Sequence, residues 1–446
     1  MLDRRQFAMT AFAFSGLALQ SRAVAGGMMA TDPGYGALQR DPAGLIDLPP
    51  GFSYRILSEL GRTMSDGHRV PDHADGMGCF KLDNGKLALV RNHELNVAHV
   101  GAGPFAAGMA APGESFDRTG GGDAIPGGTT TIVLDADTLA VEREYLSLVG
   151  TIRNCSGGVT PWNSWLSCEE STDGPANGVG RPHGWVFDVP ADAGRLIEAD
   201  PIKAMGRFVR EAAAIDPRTG IVYMTEDRDD SLFYRFVPDV PGSLRRGGRL
   251  QALAFDDKWV RDSRNWAGMK MAPGSWHFAR WVDLDDVESP ADDLRLRGAK
   301  KGAVIFARGE GVHWGNDELY FTCTSGGRAK QGQIMRYRPS RHEGTDREKM
   351  APGRLQLFLE STDPAQYSFG DNLTVAPNGH LFVCEDQYGA TVDNHLRGVT
   401  PFGEVYAFAR IRTQTEPAGA CFAPDGRTLF VNLYSPTRTL AISGPF

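Results

Sequence analysis

The chain has 446 residues, 54 glycines, six cysteines and a formal net charge of −8. The acidic balance argues against a nucleic-acid partner and leaves room for bound cations. The many glycines fit short strands joined by tight turns, and the cysteines sit singly in apolar runs, where buried thiols are commoner than disulfides.

At the N-terminus, "MLDRRQFAMTAFAFSGLALQSRAVAGG" pairs Arg4 and Arg5 with a weak apolar run and a small-x-small segment at Ala23-Val24-Ala25. This reads as a twin-arginine export signal over residues 1–25, too short to span a bilayer. Residues 26–446 are expected to form one domain, periplasmic or secreted.

Beyond the signal, one unit recurs six times: a short strand, a Pro/Asp/Asn/Gly turn and a second apolar strand. The copies are "DGMGCFKLDNGKLALVRNHE" from Asp75, "CSGGVTPWNSWLSCEE" from Cys155 and "EAAAIDPRTGIVYMTED" from Glu211. They continue with "EGVHWGNDELYFTCT" from Glu310, "DNLTVAPNGHLFVCED" from Asp371 and "AGACFAPDGRTLFVN" from Ala418. Asp83-Asn84-Gly85, Asn378-Gly379 and Asp425-Gly426 are turn sequences because these residues tolerate positive φ. Further strands are expected at 129–138, 183–190, 232–238, 333–340 and 403–410. Residues 97–127 and 241–300 read as loops or insertions, with helix only in 286–300. Six hairpins with strands between them predict an all-β, six-bladed β-propeller with loop insertions; a pair of β-sandwiches is the competing fold.

In a propeller the first strand of each blade lines the channel and the second returns to the same mouth. The opening residues Asp75, Cys155, Glu211, Glu310 and Asp371 then converge with the closing residues. The closers are Arg91, Asn92 and Glu94, then Glu169 and Glu170, Glu226 and Asp227, Cys323 and Thr324, Glu385 and Asp386, and Asn432. So many carboxylates in one volume require cations. Oxygen donors suit Ca²⁺ or Mg²⁺, and Cys155 adds a soft donor that suits a transition metal. The stretch around Cys155 has no CxxC pair and no histidine, which excludes a zinc ribbon or redox motif. Cys168 falls where alternation turns it into blade packing.

Together "RNHE" (91–94), "NCSGGVTPWNSWLSCEE", "EAAAIDPRTGIVYMTED", "ARGEGVHW" (307–314), "DNLTVAPNGHLFVCED" and "AGACFAPDGRTLFVN" resemble the PhoX-type alkaline phosphatases over about residues 70–434. The resemblance implies a monomeric, twin-arginine-exported six-bladed propeller that hydrolyses phosphomonoesters. It implies two ferric ions held by Cys155, Glu170, Glu211 and Glu310, and two to three calcium ions on the remaining acids. A metal-bridging oxygen would be the nucleophile. Arg308 of "ARGEG" would face the phosphate, with Arg91 a weaker candidate. Shorter inter-blade loops than in the best-known members leave the substrate range open. The alternatives are a calcium-dependent propeller lactonase or esterase and a non-catalytic propeller with structural metals.

Overall fold

The computed structural model describes residues 33–105 and 111–446; the expected export signal, with Arg4 and Arg5, lies outside them. Two N-terminal strands come first, β1 (Ile46–Asp47) and β2 (Ser53–Glu59). Then β3 (Ala74–Leu82) and β4 (Lys86–His93) form a hairpin that continues into β5 (Gly127–Asp135) and β6 (Val141–Thr151). The second hairpin, β7 (Asn154–Val159) and β8 (Ser164–Glu169), adds β9 (Val186–Pro190). The third, β10 (Arg210–Ile215) and β11 (Val222–Glu226), adds β12 (Tyr234–Pro238), β13 (Gly248–Phe255) and β14 (Trp276–Asp283). A helix follows, α1 (Leu294–Lys300). The fourth hairpin, β15 (Gly309–Gly315) and β16 (Glu318–Cys323), adds β17 (Gln333–Arg338) and β18 (Arg354–Glu360). The fifth, β19 (Gly370–Val375) and β20 (Leu381–Glu385), adds β21 (His395–Val399) and β22 (Val405–Ile411). The last, β23 (Pro417–Phe422) and β24 (Thr428–Leu433), adds β25 (Arg438–Ser443).

The fold is all-β and propeller-like. All six expected hairpins form, each antiparallel. The first strands pack side by side in the order β3, β7, β10, β15, β19, β23, and β23 returns to β3. Two chain ends close this ring: β2 is the outer strand beside β25, and β1 caps β22. One feature differs from separate blades. A nine-stranded sheet runs β10-β11-β12-β13-β14-β18-β17-β16-β15, because β14 pairs with both β13 and β18. Residues 241–300, expected as loop, thus contribute β13 and β14 as well as α1, which falls in the segment expected to be helical.

The turns behave as their residues dictate. Asn84 and Gly85 take positive φ (66° and 72°), as do Gly379 and Gly426 (83° and 72°). The largest apolar core lies between the two halves of the nine-stranded sheet, where stacked Phe233 and Phe321 join Tyr223 and Tyr337. Cys168 is fully buried among Leu166, Val186 and Met224, as alternation requires.

Candidate metal centre

The same irregularity recurs at the mouth end of every hairpin. The strand register slips between Ala74 and Met77, Asn154 and Gly157, Arg210 and Ala213, Gly309 and Val312, Gly370 and Leu373, and Ala418 and Cys421. A bulge re-aims the side chain it carries. Here the bulged residues are Asp75, Cys155, Glu211, Glu310 and Asp371, with Gly419 in the sixth. Just after each opener the inner strands nearly touch. A Cβ on Gly76 would lie 2.5 Å from the Ser156 Cα, and one on Gly311 would lie 2.7 Å from the Asn372 Cα. Small residues therefore keep the ring narrow and the five donors close together.

A second repeated contact fixes the other acids. The backbone N–H groups of Glu94, Glu170, Asp227, Thr324 and Asp386 donate to the carbonyls of His73, Arg153, Val209, Arg308 and Phe369 at 2.8–3.1 Å. Each bond locks the residue after a second strand to the residue two before the opener. His73, Arg153, Arg308 and Phe369 all hold positive φ, between 47° and 53°, a conformation sparsely populated outside glycine.

The donors form a continuous chain. Asp75, Glu94 and Cys155 lie within 4.8 Å of one another at their ligand atoms; so do Cys155, Glu170 and Glu211. Glu211, Glu310 and Asp371 form a third group, and Asp371, Asp386 and Glu416 a fourth. Burial and then neighbouring carboxylates push Asp75, Glu170, Glu211, Glu310 and Glu416 well above the usual carboxylate range. Asp371 is raised in the same way, by burial and then by Asp386. Burial likewise raises the Cys155 thiol, which donates to Asp75 Oδ2 at 3.4 Å.

The residues fit a cation cluster on a direct observation. Both oxygens of the fully buried Glu211 carboxylate, and Oδ1 of buried Asp75, have no hydrogen-bond partner. Buried ionised carboxylates without partners are untenable, so protons or cations must supply the missing charge. Carboxylates with a single thiol suit hard cations beside a transition metal.

Two arginines flank the acids. Arg308 grips Asp227 through Nε and Nη2 at 2.6 and 2.8 Å, reaches Glu310 at 3.1 Å and donates to the Tyr388 hydroxyl at 2.9 Å. Burial alone would lower its pKa, but Glu310 and Asp227 outweigh it and hold the guanidinium charged. Arg153 pairs with Glu94 at 2.7 Å and with Glu170.

Five expected site residues are placed elsewhere. Arg91 is fully buried between strands, donating to Thr130, Thr439 and Glu144. The Asn92 amide donates to the Cys155 and Ser156 carbonyls while its oxygen accepts from Trp165 and Ser167. Glu169 accepts from the Ile152, Gly184 and Trp185 amides and pairs with His183 at 2.6 Å. Glu226 accepts from Tyr234 and the Leu232 amide, and burial raises it to about 7. Glu385 takes the Ser368 and His395 amides and Arg397. For the three acids the physical reason is shared: the last residue of a second strand points into the blade, and only the next one reaches the mouth. Thus Glu170, Asp227 and Asp386 face the cluster while Glu169, Glu226 and Glu385 pin its walls.

Sequence reasoning missed Glu416, which stands just before β23 rather than in its opener, and Arg153, two residues before Cys155. A polar cavity of about 610 Å³ adjoins the cluster and is lined by Glu94, His99, Arg153, Asp386, Glu416 and Tyr434. A second, apolar cavity of about 430 Å³ lies along the inner strands, against Val159, Trp314 and Phe422, with no acid in its lining.

A ring of inner strands that presents buried acids and one thiol at its mouth defines a propeller-like protein with a candidate metal centre. The sequence profile described as Alkaline phosphatase PhoX matches residues 33–135 and 126–437, and the chain belongs to that family. It is a phosphatase. No curated protein matches the chain. Among solved structures, the chain is similar to Pseudomonas fluorescens PhoX in complex with vanadate, a transition state analogue. The TM-score is 0.68 at 18% identity, over 90% of this chain and 96% of that one. The gluconolactonase XC5397 from Xanthomonas campestris is 13% identical with a TM-score of 0.40, over 92% of this chain and 100% of that one.

Proposed function

We propose that this chain is a six-bladed propeller phosphomonoesterase, its nine-stranded sheet being two blades joined through β14. In this reading Cys155, Glu170, Glu211 and Glu310 hold a pair of ferric ions, and Asp75, Glu94, Asp371, Asp386 and Glu416 hold calcium. The observation that carries it is Glu211, whose unpartnered carboxylate belongs to two adjoining donor groups at once. A carboxylate shared in that way suits two neighbouring cations.

Cations held by these carboxylates and Cys155 would supply Lewis-acid chemistry toward the phosphoryl group. The chain's own part is positioning. Arg308 offers a planar fork of donors that matches phosphoryl oxygens, which a lysine does not. Asp227 and Tyr388 aim that fork toward the cluster. The narrow ring fixes the donors before substrate arrives, so little reorganisation accompanies the reaction.

The test is metal analysis combined with a choice of substrate. Protein purified from the periplasm should carry about two iron and about three calcium per chain and hydrolyse p-nitrophenyl phosphate. Lactone hydrolysis without phosphatase activity would favour the lactonase reading instead. Export by the twin-arginine route, as a monomer, belongs to the same proposal. Arg4→Lys with Arg5→Lys should retain the protein in the cytoplasm; normal periplasmic delivery of that double variant would contradict it.

A further inference from the structure

Arg153 and Arg308 occupy the same place in two different hairpins. Each stands two residues before its opener, Cys155 or Glu310, and each holds positive φ (48° and 50°). Each carbonyl accepts the N–H of the residue that follows its second strand, Glu170 or Thr324. The backbone thus aims both side chains at the mouth by the same device. Only two carboxylates separate them: Arg153 pairs with Glu170, Arg308 pairs with Asp227, and those two carboxylates lie near enough to repel each other.

Arg153 also retains capacity for a ligand. Its Nε–H is buried without a partner, while its side chain is 42% exposed and lines the polar cavity beside the cluster. Its two carboxylate partners, Glu94 and Glu170, both belong to donor groups of the metal centre. Carboxylates engaged by cations hold a guanidinium less tightly, which frees the Arg153 donors for an incoming anion.

We propose that Arg153 is the second arm of a two-arginine clamp, joining Arg308 in gripping the oxyanion of the substrate. The clamp rests on the phosphatase reading for its substrate, but its ligand is any tetrahedral oxyanion, so it can be tested apart from turnover. The probe is inorganic phosphate, titrated by calorimetry into the metal-loaded full chain, with iron and calcium measured on each sample.

Arg153→Gln should weaken phosphate binding roughly tenfold or more, the cost of losing a charge-assisted pair, with metal content unchanged. Arg308→Gln should do the same. Arg153→Lys keeps the charge but not the two-point fork, and should fall between wild type and Arg153→Gln. Wild-type affinity in a fully metallated Arg153→Gln chain would overturn the clamp. Loss of metal from that variant would overturn it too, making Arg153 a counter-ion of the cluster. If wild type binds phosphate through Arg153 yet releases none from esters, the phosphatase reading fails and the clamp stands.

Discussion

Cys155 is the residue where chemistry and packing are most cleanly separated. It stands at the bulge that four of the other hairpins fill with a carboxylate, whereas Cys168, thirteen residues on, is fully buried in an apolar core. Cys155→Ser should strip iron, bleach a visible thiolate-to-iron band and cut activity, while the far-ultraviolet circular dichroism stays native. Cys168→Ser should keep colour and rate and lose only modest stability. Absorption spectra of the two purified variants decide the matter; retained colour in Cys155→Ser would remove the thiolate from the centre.

His183 ties the wall of the site together by charge. It lies fully buried between Glu169 at 2.6 Å and Asp117 at 3.2 Å. Burial alone would lower its pKa, but the two carboxylates outweigh that and raise it to about 9. The raised value means the ion pair adds its full stability below about pH 6.5 and loses it as pH rises through about 9. The contribution is on the order of 3 kcal/mol. Wild type should therefore lose more stability than His183→Gln between pH 7 and pH 10, read as denaturant midpoints. Parallel losses in the two proteins would contradict the charged pair.

At the scale of elements, the hairpins were legible because turn residues and alternation mark both strands. The openers were legible as well, since one acid or thiol recurs at the same point of five of the six copies. The closers were only half legible. A doublet such as Glu169-Glu170 does not reveal which member ends the strand and which follows it, and the structure selects the second. Arg91 and Asn92 misled for a different reason: polar residues inside a strand read as mouth residues, yet they tie neighbouring strands together. Glu416 was invisible because it precedes the hairpin. The pairing of β14 with β18 left no local mark either, since it joins strands that sequence spacing keeps more than 70 residues apart.

The close approach of inner strands makes an element-scale prediction. A Cβ at Gly311 would meet only backbone, with the Leu373 nitrogen at 2.8 Å and the Asp371 carbonyl oxygen at 2.9 Å as well as the Asn372 Cα. No side chain can move aside, so β15 and β19 must separate. Gly311→Val should lower stability by roughly 2–3 kcal/mol and weaken metal retention, because Glu310 and Asp371 sit beside the displaced strands. A denaturation midpoint equal to wild type would show that the ring is not tightly spaced there.

For the whole molecule, the fold and the cations depend on each other. The ring closes through N-terminal β2 beside C-terminal β25, and it holds nine donors that repel one another when bare. Chelation with EGTA should lower the melting temperature and abolish activity, and added calcium should restore both, because oxygen-ligated calcium exchanges readily. An unchanged melting temperature after calcium removal, confirmed by metal analysis, would mean that the cluster is balanced by protons.

The most direct measurement is phosphate release from p-nitrophenyl phosphate by the metal-loaded chain, with Glu211→Gln assayed beside it. Glu211 belongs to two adjoining donor groups, so its loss should cost more than about a hundredfold, beyond what the loss of an outer-shell partner costs. Turnover by wild type and that collapse in Glu211→Gln are the expected result. Equal rates in the two proteins, or no release by wild type, would contradict a phosphatase built on this ring of acids.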